Sequence, residues 1–151
     1  MAEFAHQNML AIIYIFIITW IQAFLLHELC HLIEAYRQGA RDLSIKVWFW
    51  KFIPSFRAEP DKITNRFMFA LSGGLYSGIL LLIELIISIL TKAEIFIFPL
   101  LTVTITNLLY APFEAKYLYT LPLDEYTKLR YLLYLFCILI SVVIWAAAKN
   151  I

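Results

Sequence analysis

The feature that most limits what this chain can fold into is a set of four apolar runs, at about residues 9–31, 67–90, 95–111 and 129–148. Each has the length of about 17–25 residues that lets a helix cross the ~30 Å hydrocarbon core of a bilayer. Hydrophobic residues make up 63% of the 151 and charged residues only 15%, far from the near-even apolar share and quarter share of charge usual in soluble domains. A bilayer offers the backbone no water to bond with, so each run must satisfy its own amides as a helix. The sequence therefore predicts an all-α membrane protein of four transmembrane helices. A chain of this length suits one bundle, so residues 1–151 are expected to form a single integral-membrane domain.

Between the first two runs the character changes. Arg37, Arg41, Lys46, Lys51, Arg57, Lys62 and Arg66 are spread through it, with Gly39, Pro54 and Pro60 as breakers. From Leu43 to Phe52 apolar and polar residues begin by alternating, with β-branched and aromatic side chains. This predicts a short β-like or amphipathic surface segment between helices 1 and 2. With Lys116, Lys128 and Arg130, these residues put ten of the 12 Lys/Arg on one side of the membrane and leave Lys92 and Lys149 for the other. The positive-inside rule makes the rich side cytoplasmic and sends both termini to the opposite side. The first eight residues carry no cationic side chain ahead of the apolar run, which reads as a retained helix and not a signal peptide. A net charge of +1 gives no support for nucleic acid as a partner. Cys30 and Cys137 lie in different runs without framework spacing, which argues against a structural disulfide.

At the cytoplasmic end of the first run stands His27-Glu28-Leu29-Cys30-His31, an H-E-x-x-H motif. Histidines four apart on a helix present both imidazoles on one face, where they can share a metal ion, and the intervening glutamate can act as base on metal-bound water. A catalytic zinc site takes three protein ligands and keeps a fourth position open. His27 and His31 supply two; Glu114 and Asp124, brought to the same depth by the charge count, are candidates for the third. Glu28 is the candidate base. Solvated polar groups at a helix end are the plain alternative, disfavoured because such groups are costly near a bilayer.

The chain resembles the intramembrane zinc metalloproteases of the site-2 protease type. The likeness runs through His27, Glu28 and His31 into Ala35 and Gly39, then a surface β-like segment. Leu71-Ser72-Gly73-Gly74-Leu75-Tyr76-Ser77 is similar to the family's A-G-P-x-x-N segment. Asn107-Leu108-Leu109 and Leu121-Pro122-Leu123-Asp124 are similar to the two halves of its N-L-L-P…P-L-D-G segment. Here Asn107 and Asp124 are farther apart than in the family, Tyr110 stands where proline is usual and Glu125 replaces the glycine. The resemblance implies zinc as cofactor and Asp124 as third ligand. Glu114, just past the Pro112 break and at close to the family spacing from Asn107, is the alternative. It gives Asn107 a catalytic role, bonding the substrate backbone or a polarised carbonyl; a buried interhelical contact is the other reading.

Glu34, on the same helical face as both histidines, is expected to fix an imidazole tautomer or to sit at a solvated helix end. Glu84 lies deep in the second run, away from the motif, and is expected to be hydrogen-bonded, with Tyr14 or Thr102 as partners. Gly73 and Gly74 allow close approach of a helix or of substrate. The reading is an intramembrane zinc endopeptidase that cuts a membrane-embedded or juxtamembrane peptide bond near the cytoplasmic face. Its partners would be the lipid bilayer and a transmembrane or membrane-associated protein substrate, and an oligomer or a regulatory membrane subunit is compatible. An extended substrate could pair with an edge of the Leu43–Phe52 segment. The alternative is a catalytically silent member of the same fold acting as a binding or regulatory subunit. A metal carrier is weaker, as no polar path crosses the spans, and a di-iron hydroxylase would need more than the 3 histidines present.

Overall fold

The computed structural model describes residues 2–50 and 53–149. Its elements are α1 (Ala2–Arg37), β1 (Leu43–Trp50), β2 (Ile53–Pro60), α2 (Arg66–Leu90), α3 (Glu94–Tyr117) and α4 (Leu123–Lys149). Each of the four helices contains a stretch long and apolar enough to cross a membrane.

Helix α1 has 36 residues, about 54 Å at 1.5 Å per residue, well beyond a bilayer core. It continues past His31 to Arg37 instead of ending at the motif. Its end is set by Gly39, at φ 91°: the Ala40 amide bonds the Ala35 carbonyl at 3.0 Å and the Gly39 amide bonds that of Tyr36 at 2.9 Å. This pair of bonds satisfies the last carbonyls, and the left-handed residue it needs is most cheaply a glycine. Gln38 then ties this end to the start of α2. Its Oε1 accepts from the amides of Thr64 and Asn65, and its Nε2 donates to Glu34 and to the Asn65 carbonyl. Asn65 caps α2 by accepting from the Met68 amide at 3.0 Å, a preferred role for asparagine.

The expected surface segment is an antiparallel hairpin, with Leu43 opposite Pro60 and Trp50 opposite Ile53. Lys51 and Phe52, the end of the predicted strand-like stretch, lie outside the described residues. Strand β2 faces the helices. Ala58 is buried with Ala35, Ala40 and Phe69, joining hairpin, α1 and α2 in one apolar cluster. A second cluster of Ala23, Leu81, Leu85, Leu100 and Val103 joins α1, α2 and α3 farther along the bundle.

Helices α2 and α3 approach closely through small residues. A Cβ placed on Gly74 would lie 2.6 Å from the Asn107 carbonyl oxygen, and one on Gly78 would lie 2.6 Å from Leu108. Tight backbone contact of this kind is how membrane helices associate when no hydrophobic force drives them together. Two expectations change here. Helix α3 runs through both Pro99 and Pro112 to Tyr117, where the sequence predicted a break at Pro112. Helix α4 begins at Leu123, ahead of the expected start near residue 129. A proline forfeits one backbone bond without ending a membrane helix, because neighbouring groups can re-satisfy what it frees.

Candidate metal centre

The site is assembled from one turn of α1 and one face of α3. His27 and His31 lie four residues apart on α1, and their Nε2 atoms are 3.1 Å from each other. Because α3 passes Pro112 unbroken, Asn107, Tyr110 and Glu114 fall three and four residues apart on a single face. Glu114 Oε2 reaches 3.0 Å from His27 Nε2 and 3.4 Å from His31 Nε2. All three residues are buried, at 6%, 3% and 5% exposure, and together they could hold a metal ion.

The hydrogen bonds around the group decide what it can hold. His31 Nδ1 is 2.7 Å from the Phe69 carbonyl oxygen, which can only accept, so Nδ1 carries the proton. His27 Nδ1 is 3.1 Å from Asn107 Oδ1. The orientation of that amide follows from its own helix: Nδ2 donates at 2.8 Å to the Val103 carbonyl, which can only accept, so Oδ1 is the atom that faces His27 and Ser77. His27 Nδ1 is therefore a donor too. With Nδ1 the donor in each, the neutral form of both imidazoles turns Nε2 lone pairs toward each other and toward a carboxylate oxygen. Glu114 Oε2 is a buried atom without a hydrogen-bond partner among the described residues. In that form three acceptors converge, an arrangement costly without a proton or a metal ion between them. One proton can serve a single contact of the three; a metal ion serves all.

Donor chemistry and space agree with that fit. Two imidazoles and a carboxylate are a ligand set known for catalytic zinc, and each imidazole has its other nitrogen bonded, as metal-ligating histidines do. A Cβ on Gly73 would lie 2.3 Å from His31 Nε2 and 2.7 Å from His27 Nε2, so only glycine leaves room on this side. Beside His27 a cavity of about 10 Å³, lined by Thr106, Asn107, Tyr110 and Tyr134 among others, has room for about one water.

The third carboxylate corrects the preference drawn from the sequence. Asp124 is exposed in the first turn of α4 and stands outside the group, where a negative charge suits the positive end of a helix dipole. Glu114, the alternative, occupies the position. Asn107 is also recast, since its amide is committed to His27, Ser77 and its own helix, the interhelical contact that was its other reading. Glu34 does not bond an imidazole: it accepts from Gln38 Nε2 at 3.0 Å and pairs with Arg37 at 3.4 Å. Glu84 bonds neither expected partner. Both of its oxygens accept from Gln22 Nε2 at 2.9 Å, while Tyr14 is 66% exposed and Thr102 bonds the Phe98 carbonyl. Cys30 and Cys137 are free and buried.

Glu28 is buried within electrostatic range of His27, His31 and Glu114. Its Oε2 accepts the Ala58 amide of β2 at 2.5 Å. Sequence reasoning missed four contributors: the Phe69 carbonyl, Ser77, Tyr110 and Tyr126. Tyr110 had a signal, its helical spacing from Asn107 and Glu114, hidden by reading Pro112 as a break. No family model matches the chain, and no curated protein or solved structure matches it.

Proposed function

We propose that the chain is an intramembrane zinc endopeptidase, similar to the site-2 protease type, with His27, His31 and Glu114 as ligands and Glu28 as base. The observation that carries this reading is the convergence of two imidazole Nε2 atoms and a buried carboxylate oxygen, with a second carboxylate one residue from the first histidine. Zinc held there supplies Lewis acidity, polarising a carbonyl and easing deprotonation of water. Glu28 takes the proton from the attacking water and delivers it to the leaving amine. One of its oxygens is fixed by the Ala58 amide, which leaves the other for the proton. Asn107 and the Phe69 carbonyl hold the imidazoles so that Nε2 stays deprotonated.

The basic loop and the start of α2 lie at the same end of the bundle as the site, so the positive-inside rule turns it to the cytoplasm. The substrate is a transmembrane or membrane-associated protein whose cleaved segment unwinds, because a helical peptide bond is shielded by its own hydrogen bonds. The strand edge nearest the site belongs to β2, not to β1. Ala58 turns its amide outward to Glu28, and Pro54 and Pro60, at the same outward-facing parity, cost the β1–β2 ladder no hydrogen bond.

A second reading, a catalytically silent binding or regulatory subunit, is favoured by that same Ala58 bond, which engages the carboxylate a protease needs. Glu28→Gln separates the two. With purified full-length protein and a membrane substrate, the protease reading expects about one zinc per chain in both forms and a loss of cleavage of about 100-fold or more in E28Q. Equal function of the two forms would overturn it.

A further inference from the structure

Glu114 has two oxygens, and only Oε2 turns to the histidines. Oε1 is occupied from the other side. Tyr126 of α4 places its hydroxyl 3.1 Å from Oε1, and Tyr110 of α3 places its own at 3.5 Å. The two hydroxyls are themselves in contact. Each has one hydrogen to give. The shorter distance assigns the Tyr126 hydrogen to Oε1, so Tyr110 donates to the Tyr126 oxygen. Both rings are buried, and the Arg130 guanidinium lies 6.0 Å from the Tyr126 ring centroid.

We infer that Tyr126, backed by Tyr110, is a positioning residue for the metal centre: it ties up Oε1 so that Glu114 offers a single oxygen to the ion. This rests on the metal-centre reading above. Without the hydroxyl, Oε1 would keep only the more distant Tyr110 hydroxyl, at 3.5 Å, as a donor, and it would turn toward the cation. The carboxylate would then bind through both oxygens, adding one to the coordination number beside the open position, and be held less firmly. Helix α4 supplies no ligand, yet through this hydroxyl it determines the geometry of one. The consequence is that docking of α4 and the state of the metal site are coupled.

The test uses the full chain in detergent with Tyr126→Phe and Tyr110→Phe, each a loss of one oxygen. Zinc affinity is read by competition with a chromogenic chelator, and ligand geometry by the visible absorption of the cobalt(II)-substituted protein. Melting of the metal-free forms reports on folding. Y126F is expected to weaken zinc about 10–100-fold and to lower cobalt absorption as coordination rises from four to five. Y110F, which leaves the bond to Oε1 in place, is expected to lose about threefold to tenfold. Unchanged affinity and spectrum in Y126F would overturn the inference while the metal reading stood. A Y110F loss as large as that of Y126F would overturn the assigned order. If Y126F failed to fold, Y110F would decide, and no loss there would overturn the inference. Wild-type protein that binds neither zinc nor cobalt would sink the metal reading itself, and this inference with it.

Discussion

Two polar clusters lie within the membrane-spanning helices, and they are built on opposite principles. Gln22 and Glu84 form a matched pair: an amide donor faces both oxygens of a carboxyl group, and the contact is complete as it stands. His27, His31 and Glu114 form an unmatched group, in which two imidazole nitrogens face each other and one carboxylate oxygen. Both clusters put polar atoms where lipid makes them expensive. The matched pair joins α1 to α2 without needing a third party. The unmatched group could hold a metal ion, and that difference is what makes it the candidate site.

Substitutions can break this contrast, and the largest effect is expected at Glu114. Glu114→Gln should lower zinc content far below one per chain and abolish cleavage, while Asp124→Asn and Glu84→Gln retain zinc; elemental analysis of the purified forms checks this. Zinc lost in D124N but kept in E114Q would reverse the ligand assignment. Gly73→Ala comes next. Its methyl group must displace the imidazoles, so zinc content should fall together with a stability loss of about 1–3 kcal/mol typical of overpacking. A fully zinc-loaded G73A protein would show that this side of the site is roomier than the structure has it. The smallest effect is expected at the matched pair. Gln22→Leu should cost about 0.5–2 kcal/mol of stability in detergent, the scale of interhelical hydrogen bonds in membranes, with zinc unchanged. Zinc lost in Q22L would mean that the two clusters are coupled.

How much was legible beforehand differs from one region to the next. The four spans and the strand-like surface segment could be read because length, apolar content and alternation are local properties; β2, whose Pro54 and Pro60 read as breakers, could not. His27, Glu28 and His31 could be read for the same reason, since a four-residue spacing on a helix fixes which side chains share a face. Gly39 reads as a breaker, and it acts as one. The reading erred at Pro112. Treated as a stop, it detached Glu114 from the face that carries Asn107 and made Asp124 the better candidate. Tyr126 carried no signal, because its role depends on where α4 docks.

The sequence by itself determined a four-span membrane protein with a histidine pair and an adjacent glutamate, because each of these is decided within one or two helical turns. Only the tertiary structure decided the rest: that Glu114 completes the group, that Asn107 and the Phe69 carbonyl turn both imidazoles, and that Tyr126 holds the remaining oxygen. The close contact of α2 with α3 at Gly74 sets the depth and rotation of the Glu114 face against α1. The H-E-x-x-H motif supplies the two histidines of the candidate site; which carboxylate meets them depends on how three other elements pack around them.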